Sequence, residues 1–244
     1  MIDFKQLIKY KNAFTGEKHY KIQNVKSRIL VIPDIHGCSK TFMELLDKIQ
    51  LSEDDYLFLL GDLINRGKNS KEVIEQIIKL IEHDYKIFPI RGNHEHRLIE
   101  RHLKEYSDDD LNLPSPFRNR DLTDQKNRIK PEYLGLISNL PYYFELDNFY
   151  LVHAGFNLSS PDFFNDYESM IWLSEFETQN KINNKQVIVG HKTKNLEVIK
   201  HEIEINNPVI HLDNGCVYKK NSNLGSLLCL NLNTKELIIQ KNVD

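Results

Sequence analysis

Three times within the first hundred residues, a short run of branched apolar side chains ends at a polar cluster. Arg28-Ile29-Leu30-Val31-Ile32-Pro33 runs into Asp34-Ile35-His36-Gly37, Tyr56 to Leu60 into Gly61-Asp62, and Lys86 to Ile90 into Arg91-Gly92-Asn93-His94-Glu95. Such short continuous runs read as strands buried on both faces. Between them, residues 41–50 (TFMELLDKIQ, with Ser39 as cap) and 70–81 (SKEVIEQIIKLI) carry apolar side chains at helical spacing. Asn93 to about Tyr106 continues as a third, more polar helix. Strand and helix in alternation build parallel βαβ units with right-handed crossovers. In such sheets ligands gather at the carboxyl ends of the strands, where these polar clusters lie.

Residues 1–27 are polar and irregular, an N-terminal extension or an added edge element, and residues 28–244 read as one domain. From Ser107 to Pro131 the chain is charged and carries Pro114 and Pro116. It reads as an inserted loop or small cap, because apolar patterning resumes directly after it. Tyr142–Leu146 and Phe149–His153 pair as strands around Asp147-Asn148. From Val187 onward, QVIVG, NLEVIK, PVIHLD, GSLLCLNL and ELIIQ read as short strands. A βα half and a mostly β half predict an α/β fold of two packed sheets with helices outside.

Composition narrows the function. Hydrophobic residues make up 40% and charged residues 27% of the 244, which suits a globular core and excludes a disordered chain. Thirty-two Lys and Arg against 35 Asp and Glu leave −3, so bulk charge gives no reason to expect a nucleic-acid partner. Cys38, Cys216 and Cys229 are widely spaced, which argues against a disulfide framework or a Cys-based zinc site. The first residues lack the apolar core of a signal peptide, and no run is long enough to span a membrane. A soluble, cytoplasmic protein is expected.

Two further polar groups follow apolar runs: His153 in FYLVHAG and His191 after QVIVG. Asp34 and His36, two residues apart on an extended strand end, point to one side, while Asp62 and Asn93 arrive at the same edge from neighbouring strands. Any one of these histidines taken alone reads as a structural residue. Together they place polar groups at five strand ends, where a core would take none. Carboxylates, an amide oxygen and imidazoles suit two divalent cations of the Mn, Fe or Zn kind better than Ca or Mg. Asp62, on a strand expected to be central, is the candidate bridge. Two cations held by two carboxylates and a hydroxide leave a positive centre that attracts phosphate.

DIHG, GDLINRG, RGNHE, HAG and VGH, in this order, resemble the signature blocks of calcineurin-like metallophosphoesterases. The arginine of the second block and RGNHE narrow the resemblance to the bacterial and phage-type phosphoprotein phosphatases, whose blocks the symmetrical diadenosine tetraphosphate hydrolases share. HLDNGCVYKKNSNLGSLLCLNL is similar to their closing strands, so the resemblance covers about residues 28–240 apart from 107–131. It implies a four-layer α/β/β/α sandwich of two mixed sheets. It implies Asp34, His36 and Asp62 on one metal, and Asp62, Asn93, His153 and His191 on the other. His94 would be the general acid, with Asn65 beside it, and Arg66, Arg91 and Asn93 would hold phosphate. The implied activity is hydrolysis of phosphomonoesters, as a Ser/Thr-type phosphoprotein phosphatase, by attack of a metal-bridging hydroxide, with Mn as the metal and Fe or Zn as alternatives. The substrate partner would be a phosphorylated protein or small phosphoester, with no membrane or nucleic acid. A symmetrical dinucleoside tetraphosphate hydrolase is the alternative, and a weakly active or non-catalytic metal-binding regulatory module is the alternative of another class.

Two departures bear on catalysis. The second block of the family usually reads GDxxDRG, and Asn65 stands where that second Asp supports the catalytic His; an amide supplies no charge. The family often has an Arg in LWxR, replaced here by Ile171-Trp172-Leu173-Ser174, and no Arg follows Arg128. Substrate phosphate is then held by fewer charges, or by a Lys such as Lys181 or Lys185. Gly61 to Asn69 lacks P-loop spacing, no GxSxG elbow is present, and Cys216 reads as a small buried residue. His211 and Asp213 fall near the expected site, where either could support a ligand, though that is the less favoured reading.

Overall fold

The computed structural model describes residues 16–104, 120–126, 128–220 and 223–244. Ten strands form two five-stranded sheets: β1 (His19–Lys21), β2 (Ile29–Ile32), β3 (Tyr56–Leu59), β4 (Lys86–Pro89), β5 (Tyr143–Glu145), β6 (Phe149–Val152), β7 (Gln186–Val189), β8 (Val209–His211), β9 (Ser226–Asn231) and β10 (Leu237–Lys241). The helices are α1 (Ser39–Lys48), α2 (Ser70–Glu82), α3 (Asn93–Lys104), α4 (Pro131–Ser138), α5 (Ser169–Trp172) and α6 (Leu196–Glu204).

The first sheet has the order β10-β9-β2-β3-β4, with β2, β3 and β4 parallel and the β9–β10 hairpin antiparallel to β2. The second has the order β1-β5-β6-β7-β8 and is also mixed. The fold is therefore α/β with two mixed sheets. The two faces of the second sheet separate with period two. Phe144, Leu151, Ile188 and Ile210 join the main core, and Phe144 meets Phe58 of the first sheet at 5.2 Å. Tyr143, Tyr150, Val152, Val187, Val189 and Val209 face the other way, into a second cluster closed by Phe156, Met170, Ile171 and Phe176. The main strands β2 and β3 are buried along nearly their whole length, as continuous apolar runs require.

Several expectations need correction. NLEVIK is not a strand: it opens α6, because Leu196, Ile199 and Ile203 repeat at helical spacing against the core while Val198 is exposed. The second half is thus not mostly β, since β6, β7 and β8 are parallel and α6 bridges the last two. Ser39 does not cap α1. It lies inside the helix, and its hydroxyl donates to Glu72 Oε2 at 2.6 Å. The strand preceding Asp62 is paired on both sides, but β2 is the middle strand of its sheet. The N-terminal segment supplies an edge strand: β1 pairs in parallel with β5. Of the insertion, residues 107–119 and 127 lie outside the described residues; Thr123 and Ile129 bridge, and α4 starts at Pro131.

Candidate metal centre

The carboxyl ends of β2, β3, β4, β6 and β7 meet at one edge, and each delivers a predicted residue just past its last strand position. Asp34 and His36 follow β2, Asp62 follows β3, Asn93 and His94 open α3, and His153 and His191 follow β6 and β7. All are buried except His191, which is partly exposed. The backbone is bent hard to do this: His36, Asp62, Asn65, Arg66 and His191 all have positive φ, between 48° and 71°. Such conformations cost about 1–3 kcal/mol each for non-glycine residues and concentrate at functional sites. Two glycines allow the approach. A Cβ at Gly92 would strike the carboxylate of Asp62, and one at Gly190 would strike that of Asp34.

Asp62 is the hub. Ligand atoms of His36, Asp62 and His94 lie within 4.8 Å of one another, and so do those of Asp62, His153 and His191. Asp62 Oδ2 is 3.6 Å from His36 Nε2 and 3.8 Å from His94 Nε2, while Asp62 Oδ1 is 3.6 Å from His153 Nε2. Asp34 Oδ2 lies 3.7 Å from His36 Nε2, and Asp34 Oδ1 accepts the His191 N–H at 2.9 Å.

Backbone carbonyls set the tautomers. His36 Nδ1 is 3.0 Å from the Ile64 carbonyl and His153 Nδ1 is 2.7 Å from that of Leu60. A carbonyl only accepts, so each Nδ1 carries the proton and each Nε2 turns a lone pair toward the carboxylates. Burial pushes the His36 pKa down to about 3 and that of His191 down to about 4, with Arg66 adding to both, so the rings are neutral at pH 7 and ready to ligate. Burial drives the Asp34 and Asp62 carboxyls upward. Asp213 and then Asp62 add to the first, and Glu95 to the second.

This donor set fits cations. The side-chain oxygen of Asn93, as oriented, faces only acceptors: Asp62 Oδ2 at 3.1 Å, His153 Nε2 at 3.1 Å and His191 Nδ1 at 3.3 Å. His153 Nε2 and His191 Nδ1 are themselves 3.0 Å apart. Turning the amide over would bring two N–H donors to the Asp62, His153 and His191 acceptors, but two buried carboxylates would still lack counter-charge. Divalent cations supply what this set lacks.

The remaining predicted residues divide. Asn65 Nδ2 is 2.8 Å from His94 Nδ1. Arg66 is exposed, its Nη1 donates to the Tyr218 hydroxyl at 2.6 Å, and its charge acts on Asp34, Asp62, His36, His94, His153 and His191. Arg91 is buried and committed elsewhere: Nη2 donates to the Ser138 carbonyl at 2.8 Å, Nη1 donates to the Tyr142 hydroxyl at 3.2 Å, and Nε has no partner among the described residues. Lys185 is spent at the opposite end of β7, where it donates to Glu145 at 2.8 Å. Lys181 lies near Lys235, which donates to Gln186 at that same end, so neither lysine replaces the late arginine. Asp213 accepts from Thr193 and Gly215 beside Asp34, whereas His211 is tied to Glu202 and the Phe176 carbonyl.

Glu95 escaped the sequence reading. Fully buried, it accepts the N–H groups of Asp62, Leu63 and Gly92 at 2.9 Å and that of Ile64 at 3.3 Å, which locks the loop carrying Asp62 onto α3. Its only sequence signal was its place in RGNHE. Tyr218 likewise carried no signal, being 152 residues from the arginine it holds.

Known proteins resemble this chain in sequence and in fold. A family model described as calcineurin-like phosphoesterase matches residues 27–224. The asymmetrical bis(5'-nucleosyl)-tetraphosphatase of Anoxybacillus flavithermus is 32% identical over 138 residues, 51% of this chain and 56% of that protein. The symmetrical bis(5'-nucleosyl)-tetraphosphatase of Vibrio campbellii is 32% identical over 128 residues, 51% of this chain and 43% of that protein. The chain thus spans about half the length of these curated relatives. A protein serine/threonine phosphatase from Saccharomyces cerevisiae superposes with a TM-score of 0.63 at 16% identity, covering 99% of this chain and 89% of that one, a likeness of fold.

Proposed function

The chain belongs to the calcineurin-like phosphoesterase family, and on that premise we propose that it is a two-metal-dependent phosphatase acting on phosphomonoesters. The observation that carries this is Asp62, whose carboxylate is common to both groups of ligand atoms. Asp34, His36 and Asp62 would hold one cation, and Asp62, Asn93, His153 and His191 the other, with Mn as the metal and Fe or Zn as alternatives. When bound, the pair supplies Lewis acidity and a water activated for attack at phosphorus.

The protein's own groups do the rest. Arg66, exposed and held by Tyr218, presents its fork to phosphate oxygens. Arg91 would join it by exchanging its bond to the Tyr142 hydroxyl for one to phosphate. His94, with Nδ1 at the Asn65 amide, turns Nε2 toward the Asp62 side; as an imidazolium, with the Asn65 oxygen turned to accept from Nδ1–H, it would give its Nε2 proton to the leaving oxygen. Glu95 keeps Asp62 and His94 in register by tying their loops together.

Of two substrate classes proposed, a Ser/Thr-type phosphoprotein, which is a phosphomonoester, is the first. Hydrolysis of a dinucleoside tetraphosphate is the second, favoured by the names of the two curated relatives. No helix among the described residues is long and apolar enough to cross a membrane, and the three cysteines are free, as suits the reducing cytoplasm proposed for the chain. A panel of p-nitrophenyl phosphate, phosphopeptides and diadenosine tetraphosphate with added Mn²⁺ tests the proposal. Turnover that depends on Mn²⁺ and disappears in Asp62→Asn is the expected result. Absence of metal-dependent turnover on all three overturns it, and diadenosine tetraphosphate as the best substrate selects the second reading.

A further inference from the structure

Arg97 stands one turn after His94 on α3, at a spacing that puts both side chains on one helix face. Its guanidinium carbon lies 4.7 Å from the ring centroid of Trp172. Trp172 ends α5, and α5 is fastened to the rim of the metal centre, because Ala154, the residue after His153, donates its N–H to the Met170 carbonyl at 2.8 Å. Arg97 is exposed and has no carboxylate within ion-pair distance among the described residues. Resting a guanidinium on an indole face orients it while leaving the N–H edges of its fork open. A surface arginine neutralised by a neighbouring Asp or Glu would offer no such edge.

We infer that Arg97, positioned by Trp172, binds a second phosphate of the substrate, the one joined to the scissile phosphate through the leaving oxygen. The inference rests on the phosphoesterase reading above and deepens it, because it turns the choice of substrate toward phosphoanhydrides. In an anhydride the charge of the leaving group begins at the atom next to the leaving oxygen. With His94 at the leaving oxygen, that atom would lie beside His94, and Arg97 stands one helical turn from His94 on the same helix. The acidic side chain of a peptide would carry its charge farther off on a flexible stem. Arg97 also places a guanidinium at the tryptophan where the chain itself has Leu173 and Ser174 in place of an arginine.

Trp172 is the single tryptophan of the chain, so its emission reports on the guanidinium above it. The test titrates the full-length protein, at fixed free Mn²⁺, with imidodiphosphate (a non-hydrolysable diphosphate) and with orthophosphate. Imidodiphosphate is expected to change Trp172 emission and to bind about tenfold more tightly than orthophosphate, as one added charge-assisted bidentate contact implies. Arg97→Ala should abolish that preference, and Arg97→Lys should restore part of it. In kinetics, Arg97→Ala should raise KM for a diphosphate substrate about tenfold more than KM for p-nitrophenyl phosphate. Equal changes for both substrates, or a diphosphate preference that survives in Arg97→Ala, overturns the inference. If no substrate is turned over but the fluorescence preference is present and Arg97-dependent, the phosphoesterase reading fails and the binding site stands.

Discussion

Asn65 places its amide nitrogen 2.8 Å from Nδ1 of His94, in the buried wall of the site, and its own side-chain oxygen has no hydrogen-bond partner among the described residues. A carboxylate at this position would accept from Nδ1–H and add a charge to balance the protonated ring, whereas the amide offers only a dipole. Asn65→Asp is nearly isosteric and should raise kcat most on alkyl phosphates, whose leaving oxygen needs a proton. The gap between alkyl and aryl phosphates should narrow. An unchanged gap at full metal occupancy would show that Asn65 does not limit proton donation.

His94 is close enough to His36 and Asp62 to be counted with the ligands, so its role needs a test that separates the two possibilities. As a proton donor, His94→Ala should retain metal and lose about 10²–10⁴-fold in kcat on poor leaving groups, with aryl phosphates suffering less. Loss of one metal equivalent, or equal losses on both substrate types, would assign it to the ligand set instead.

Away from the site, Arg28 clamps Asp55 with two bonds of 2.8 and 2.6 Å, and the Ser52 N–H adds a third at 2.8 Å. Burial pushes the Asp55 carboxyl upward, but these donors outweigh it and the net pKa is lowered. A lowered folded-state pKa contributes stability above the unfolded carboxylate value, about 3.9, and loses it as pH falls below that. Asp55→Asn should cost about 1–2 kcal/mol at pH 7, the partly exposed Arg28 keeping the figure low. The difference in Tm from the unaltered protein should close below about pH 4. A difference that persists undiminished in acid would contradict this origin.

The strand-end residues could be read from sequence because each sits where a buried apolar run stops, and Asp34, His36, Asp62, Asn93, His153 and His191 do converge. Whatever depends on contacts across the sequence was hidden. The return of β9 to β2 and the grip of Tyr218 on Arg66 join segments with no local signal. Glu95 looked like an ordinary acidic residue in the first turn of a helix, though its carboxylate organises the loop after β3. Arg91 shows a different limit: its backbone sits in the block, while Tyr142 and Ser138 draw its head away. In NLEVIK, local alternation imitated a strand until the helical repeat of Leu196, Ile199 and Ile203 found the core.

On the proposed reading, the carboxylate of Asp62 joins two cation sites. Elemental analysis of protein purified without chelator and reloaded with Mn²⁺ should approach about two ions per chain, with Tm raised by the metal. Asp62→Asn should lower both occupancies and remove the rise in Tm. A stoichiometry near zero in the unaltered protein, or full occupancy retained in Asp62→Asn, would contradict the claim.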